Sequence, residues 1–161
     1  MPDTRIEVSR TVPAEPPAVF ALLRDPQGHV DIDASGMLMS VTGGPVSAAG
    51  DTFVAHMDRE ALGDIPGLGT YDVTVHIVTY EQDREIAWTV VGTLARPPIG
   101  HVYGYRLEPD AGGTRVTQYY DWSDIAPQYR ERDLFPIISE SSLKATLGIL
   151  HRTVLRRAST G

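Results

Sequence analysis

A histidine and two tyrosines, His101, Tyr103 and Tyr105, alternate along one short stretch of the chain. If this stretch is a β-strand, residues two apart share a face, so the imidazole and both phenols point the same way. Imidazole titrates near neutrality, and a phenol can donate a hydrogen bond to a carbonyl or to a developing oxyanion. These residue types therefore predict acid–base chemistry, with His101 as the proton-transfer group. The alternative interpretation is structural, with tyrosines that fill a wide core and a histidine that caps a strand end.

A strand face of this composition suits the wall of a ligand cavity, because aromatic bodies bury a ligand while a few polar tips orient it. Alternation and helical spacing extend the wall to other elements. Gln118 shares a face with Val116 and Tyr120, so we expect its amide to be a polar tip. Trp88 and Trp122 also fit the role of core anchors. The predicted ligand-binding residues are Phe53, Met57, Tyr71, Trp88, Gln118, Tyr120, Trp122, Leu143, Leu147 and Leu150.

Several other chemistries find no support in the sequence. The chain contains no cysteine, which excludes disulfides, thiol catalysis and cysteine-ligated metals. The run His-Val-Asp-Ile-Asp at 29–33 superficially resembles a set of metal ligands, but alternation gathers these side chains only in an extended segment, and a helix or loop is predicted here. The glycines at 63, 67 and 69 lack the spacing and the lysine of a phosphate loop. We therefore predict neither a metal site nor a cofactor.

Length, composition and charge limit the partners. The 161 residues are enough for one well-buried domain, predicted to span 1–161, and 42% of them are hydrophobic. A net charge of −7 argues against nucleic acid as the main partner. The apolar runs are too short to cross a bilayer, and the first residues carry no apolar signal core. We predict a cytoplasmic protein, monomer or homodimer, without a membrane partner.

The order of the predicted elements is informative. Alternation and turn residues predict strands at 4–11, 37–42, 51–58, 70–80, 85–91, 101–108 and 114–122, joined as antiparallel hairpins. Two short helices, 18–24 and 27–32, follow the first strand. In the last segment, leucines at 143, 147 and 150 and Val154 form one apolar helix face after a candidate cap at Ser139, Ser141 or Ser142. This is an α+β class, in which a curved antiparallel seven-stranded sheet wraps on a long C-terminal helix.

Alternation also assigns the inward face of each strand. The inward residues are predicted to be Phe53, Ala55, Met57, Tyr71, Val73, Val75, Ile77, Ile86, Trp88, Val90 and Leu107, together with the alternating histidine and tyrosines. His56, Asp58, Asp72 and Asp121 should then lie on the outer face.

Several short motifs, taken in order, carry a family resemblance. They are VPAEPPAVFALLRD at 12–25, GDTF at 50–53, YEQDREIAW at 80–88, and GTRVT at 113–117 leading to YDW at 120–122. With them the chain resembles the START/Bet v 1-like (SRPBCC) superfamily, specifically its bacterial polyketide cyclase/dehydrase-like branch. The resemblance covers nearly the whole chain and implies the helix-grip fold. In similar folds, the loops corresponding to 59–69 and 93–100 gate the cavity mouth, and here the first is rich in glycine and apolar residues.

Fold does not determine function in this superfamily, which contains binding proteins, lipid carriers and cyclases. The leading hypothesis is binding of a small hydrophobic or aromatic, polyketide-like molecule between sheet and C-terminal helix. The first alternative is a polyketide cyclase or aromatase that assists aldol cyclisation or dehydration. The second is a protein-interaction or chaperone-cofactor module. An isolated histidine in the cavity favours binding, whereas one hydrogen-bonded to a carboxylate or a tyrosine, with room for substrate, favours catalysis.

Overall fold

The computed structural model describes residues 4–63, 69–92, 98–132 and 134–160, and its strands form one antiparallel sheet. The elements, in chain order, are β1 (Arg5–Val12), α1 (Pro16–Leu23), α2 (Pro26–Ile32), β2 (Leu38–Thr42), β3 (Thr52–Asp58), β4 (Thr70–Glu81), β5 (Glu85–Gly92), β6 (Val102–Asp110), β7 (Gly113–Asp121), α3 (Pro127–Arg130) and α4 (Glu140–Thr160). The strand order β1-β7-β6-β5-β4-β3-β2 leaves β1 and β2 at the two edges. None of the described helices has the length and apolar content to cross a membrane.

The predicted fold is confirmed: a seven-stranded antiparallel sheet, two short helices after the first strand and a long closing helix. Most element ends differ from the prediction by one or two residues, and two of these shifts move candidate site residues out of a strand. β6 begins at Val102, so His101 lies just before the strand, and β7 ends at Asp121, although the N–H of Trp122 still donates to the Thr4 carbonyl at 2.8 Å. The short helix α3 was not predicted, because four residues are too few to show a helical period.

The start of α4 is explained by a local interaction, and the predicted apolar stripe by burial. The Ser139 hydroxyl accepts from the N–H of Ser142 at 3.1 Å, so Ser139 is the residue that caps the helix. The leucines at 143, 147 and 150 and Val154 are all buried in the hydrophobic core. The stripe docks against the sheet because it is the only continuous apolar face of an otherwise polar helix.

The outer face of the sheet is polar, as alternation predicts. His56 hydrogen-bonds through Nε2 to Thr42 at 2.8 Å and through Nδ1 to Asp72 at 2.8 Å, across three neighbouring strands. Asp121 accepts from the Arg5 guanidinium at 3.1 Å. With these residues outside, the apolar residues of the same strands face α4 and the short helices.

The junction of α1 and α2 brings these two helices into close contact. The side chain of Asp25 accepts from the N–H of Gln27 at 3.1 Å and caps α2. Gly28 packs directly on the backbone of Leu22, and a Cβ at this position would collide with the Leu22 carbonyl oxygen. Glycine is therefore required here for close helix approach, which sets the position of the next residue, His29.

Leu147 provides a test of how α4 docks. It is 2% exposed and lies within the core, so Leu147→Ala should lower the free energy of unfolding by about 2–5 kcal/mol. Leu155→Ala is the matched control, because Leu155 on the same helix is 38% exposed. This substitution should change the free energy of unfolding by less than about 1 kcal/mol. Chemical denaturation measures both, and equal effects would contradict the docking described.

Candidate functional site

A cavity of about 330 Å³ lies inside the curve of the sheet, where the sheet faces the first turns of α4. Four parts of the chain line it: the inward faces of strands β3 to β7, the end of α2 with the residues that follow it, the segment 129–138, and residues 142–146 of α4. The wall is mainly apolar and aromatic. A concave, mostly apolar space with few polar groups is typical of a site for a small molecule.

Most of the predicted site residues meet at this cavity. Those that line it are Phe53, Met57, Tyr71, Trp88, His101, Tyr103, Tyr105, Gln118 and Leu143. They come from five strands, the residue before β6 and one helix. Antiparallel pairing brings them together: Trp88 lies opposite Tyr103 and Tyr105 lies opposite Gln118. The Trp88 ring stacks on both tyrosine rings, with centroids 5.9 Å away in each case.

Four predicted ligand-binding residues do not line the cavity, which corrects the predicted wall. Leu147 and Leu150 lie farther along α4, where the helix is already packed in the core and the cavity has ended. Tyr120 is fully buried behind the wall, and its ring stacks on that of Tyr103 with centroids 4.6 Å apart. Trp122 packs on Tyr120, with ring centroids 5.3 Å apart. Periodicity identified the correct face of each element but carries no information on where along that face the space opens.

His101 belongs to the wall and is almost completely buried, at 3% exposed. Its Nδ1 hydrogen-bonds to the Tyr120 hydroxyl at 2.7 Å, and its ring meets Tyr103 and Phe135 edge-on. Nε2 is buried and finds no hydrogen-bond partner within the part of the chain that the structure describes. Burial lowers the pKa of His101 to about 4, so the imidazole is neutral at physiological pH.

The tyrosines and Gln118 supply neutral polar groups. Burial raises the pKa values of Tyr103 and Tyr105 well above that of a free phenol, so both hydroxyls stay protonated. The Gln118 amide interacts with the Tyr105 hydroxyl, while its Oε1 is buried without a partner among the described residues. These groups can hydrogen-bond a ligand and carry no charge of their own.

Arg59 is a wall residue that the sequence reasoning missed. It is 5% exposed, lines the cavity and donates from Nε to the Tyr71 hydroxyl at 3.2 Å. The alternation Phe53, Ala55, Met57 continues to Arg59, so the signal was present. A charged residue after a strand end is nevertheless expected in the loop, because an isolated arginine is rarely buried.

The segment 129–138 was also missed. It contributes six residues to the wall, namely Tyr129, Arg132, Leu134, Phe135, Ile137 and Ile138. No strand or helix periodicity runs through this stretch, so a pattern search finds nothing in it. It covers the cavity because the chain has to cross from the end of β7 to the start of α4.

The run at 29–33 is divided by the structure. His29 and Asp33 line the cavity, and the Asp33 carboxylate accepts from the N–H and hydroxyl of Ser35 and from the N–H of Leu38. Asp31 instead accepts from Arg157 on the surface at 3.1 Å. Among the described residues, no group of three or more potential ligand side chains is placed to hold a metal ion. His29 is therefore a second cavity histidine, which the sequence reasoning considered only as a metal ligand.

The predicted gate falls largely outside the described residues, which exclude 64–68 and 93–97. Of the described flanks, Arg59, Gly92 and Ile99 line the cavity. A gating role for the loops 59–69 and 93–100 stays a prediction.

Comparisons with known proteins agree with this architecture. The model of one family, described as polyketide cyclase / dehydrase and lipid transport, matches residues 3–154. Solved structures with the same fold include protein CV1439 from Chromobacterium violaceum, which is 15% identical with a TM-score of 0.67 and covers 94% of this chain and 96% of its own. The AHSA1-like protein from Aeromonas hydrophila is 16% identical, with a TM-score of 0.61, and the match covers 98% of this chain and 95% of its own.

A third structure, the Aha1 dimer from Colwellia psychrerythraea, is 12% identical with a TM-score of 0.59 and covers 93% of this chain and 95% of its own. At such identities the likeness shows the fold alone. A comparison with curated proteins finds no match.

The lowered pKa of His101 predicts a pH dependence of stability. An unfolded histidine titrates near pH 6.5, whereas native His101 titrates near 4, so the unfolded state binds the extra proton first as the pH falls. As the pH falls from about 6.5 to 4, the titration of His101 should therefore lower the free energy of unfolding by roughly 3 kcal/mol in total.

Urea denaturation across this pH range, for the wild type and for His101→Phe, measures the contribution of His101 to the pH dependence of the free energy of unfolding. The variant should lose less stability on acidification than the wild type. His29, whose pKa is also lowered, remains in both proteins and cancels in the comparison. Parallel curves for the two proteins would show that His101 titrates as it does in water.

Proposed function

The chain belongs to the polyketide cyclase / dehydrase and lipid transport family, and we propose that its cavity binds a small hydrophobic or aromatic molecule. The observation that supports this most directly is the cavity itself. Its volume of about 330 Å³ falls at the lower end of the usual range for small-molecule sites, roughly 300–1,000 Å³. A space of this size favours a compact ligand over a long chain.

The chemistry of the wall points to the ligand class. Trp88, Tyr103 and Tyr105 form one stacked aromatic surface, on which a flat ring can lie. Phe53, Val73 and similar residues make the rest of the sheet wall apolar. Burial of such surfaces stabilises a complex by about 25 cal/mol for each Å² removed from water. A flat, largely apolar molecule therefore fits this part of the wall better than an extended polar one.

Polar groups at the cavity are few and mostly neutral. The Tyr71 hydroxyl accepts from Arg59, and Gln118 carries a buried carbonyl oxygen that has no partner among the described residues. Since a buried polar group without a partner costs free energy, a ligand that satisfies these groups gains affinity and a fixed orientation. We infer a ligand with one or two polar substituents on an apolar body.

Filling the cavity tests the proposal. Ala55 lines the space on β3, so Ala55→Phe should occupy it and weaken binding of the neutral fluorescent probe N-phenyl-1-naphthylamine at least tenfold. Val54→Phe is the matched control, because the neighbouring residue on the strand points to the outer face. Fluorescence titration measures the affinity, and circular dichroism confirms that both variants are folded. Equal binding by the two variants, or no binding by the wild type, would contradict a ligand site here.

A second function, polyketide cyclisation or dehydration, is favoured by one observation. His101 is hydrogen-bonded to the Tyr120 hydroxyl and lies beside Tyr103 at the cavity, the pairing expected of an acid–base group. Against this, a pKa near 4 makes the neutral imidazole a weak base, and its free nitrogen is buried in the wall. We therefore rank catalysis behind binding.

Incubation with a linear poly-β-ketone thioester tests this second function. Cyclisation by aldol condensation with dehydration releases one water molecule, which mass spectrometry detects as a loss from the substrate. His101→Ala should then reduce the rate about 10²–10⁴-fold while leaving probe affinity nearly unchanged. Equal losses of rate and affinity would identify His101 as part of the wall only.

The third hypothesis, a protein-interaction module, receives no specific support from the described residues. The Aha1-like neighbours share the fold at 12–16% identity, and their interactions do not transfer at that level.

A further inference from the structure

His29 is a cavity histidine that the proposed function does not use. We propose that its Nδ1 is the hydrogen-bond acceptor that selects the ligand, so that the bound molecule carries an O–H or N–H donor on its aromatic ring. A phenol or an aromatic amine meets this description. The inference rests on the proposed ligand-binding function and adds the kind of substituent that the site recognises.

The tautomer of His29 follows from the hydrogen bond that its ring makes to the backbone of Leu23. Nε2 lies 2.7 Å from the carbonyl oxygen of Leu23. A carbonyl oxygen can only accept, so the hydrogen of the neutral imidazole is on Nε2. Nδ1 then carries the lone pair, and among the described residues nothing donates to it. An acceptor in an apolar wall gains free energy only from a donor that enters the cavity.

The imidazole stays neutral and keeps this lone pair. Burial lowers the pKa of His29, and the effect is only partly offset by the Leu23 carbonyl and by the carboxylates of Asp25 and Asp33. A neutral imidazole with its Nε2 hydrogen already donated presents an acceptor and no second donor. The site therefore distinguishes a ligand hydroxyl from the corresponding ether.

Packing fixes the position of the His29 ring at the cavity wall. The cap at Asp25 and the close contact at Gly28 hold α2 against α1, and the Leu23 hydrogen bond fixes the ring itself. The imidazole meets the Trp88 ring edge-on, with ring centroids 4.8 Å apart, and stacks on the Phe53 ring at a centroid distance of 6.3 Å. A preorganised acceptor beside aromatic surfaces costs little ordering on binding, which favours recognition of a substituent on a flat ring.

A pair of probes that differ in one donor tests the inference. 1-Naphthol and 1-methoxynaphthalene share the same ring system, and only the first can donate to Nδ1. The measured quantity is the ratio of their dissociation constants, obtained by isothermal titration calorimetry. Replacement of the acceptor in His29→Phe should shift this ratio about 3- to 10-fold against naphthol, the value expected of one neutral hydrogen bond. The affinity for the ether should change little.

Two controls accompany the variant. His29→Gln retains one donor for the Leu23 carbonyl and one acceptor, so it should recover part of the preference for naphthol. In the wild type, the imidazole ¹⁵N resonances report the tautomer directly. Naphthol should move the Nδ1 resonance of His29, whereas the ether should leave it in place. This measurement decides the question even if the Phe variant fails to fold.

Each outcome separates the two proposals. Binding of both probes with an unchanged ratio in His29→Phe, or a Nδ1 resonance that naphthol does not move, overturns the role of His29 and leaves the proposed function standing. Failure of the wild type to bind either probe overturns the proposed function, and the inference falls with it.

Discussion

The concave apolar face of one antiparallel sheet has to be buried by a single long helix and a few short segments. The leucine stripe of α4 closes one end of this face, where Leu147 and Leu150 pack in the core. At the other end only the first turns of α4 reach the sheet, and the segment 129–138 crosses over the remaining gap. Aromatic side chains, among them Trp88, Tyr103 and Tyr105, line this gap, and the space between them and the helix is the cavity.

Burial also determines the electrostatics of the cavity. His29 and His101 both have lowered pKa values, and the phenols of Tyr103 and Tyr105 have raised ones, because each group is held in its neutral form by loss of solvent. Such groups are good hydrogen-bond partners and weak proton-transfer agents near neutral pH. The same physical effect thus favours recognition of a neutral ligand over acid–base catalysis.

The two cavity histidines differ in what they offer a ligand. His101 is already engaged with Tyr120 and its other nitrogen is buried in the wall, whereas His29 uses its N–H on a backbone carbonyl and keeps an acceptor for the cavity. Proteins that share this fold at 11–17% identity say nothing about either residue. Specificity in such a scaffold depends on a few polar side chains on the wall, and these have to be interpreted one by one.

The sequence by itself determined the strands, the closing helix and the inward face of each, because the alternation of residues such as Phe53, Tyr71 and Trp88 is a local property of the chain. Only the tertiary structure decided where the cavity begins and ends, which excluded Leu147 and admitted the aperiodic segment 129–138. It also decided the role of His29, which depends on the packing of α2 on α1. Contacts between segments distant in sequence leave no periodic signal, so no pattern in the chain could have predicted them.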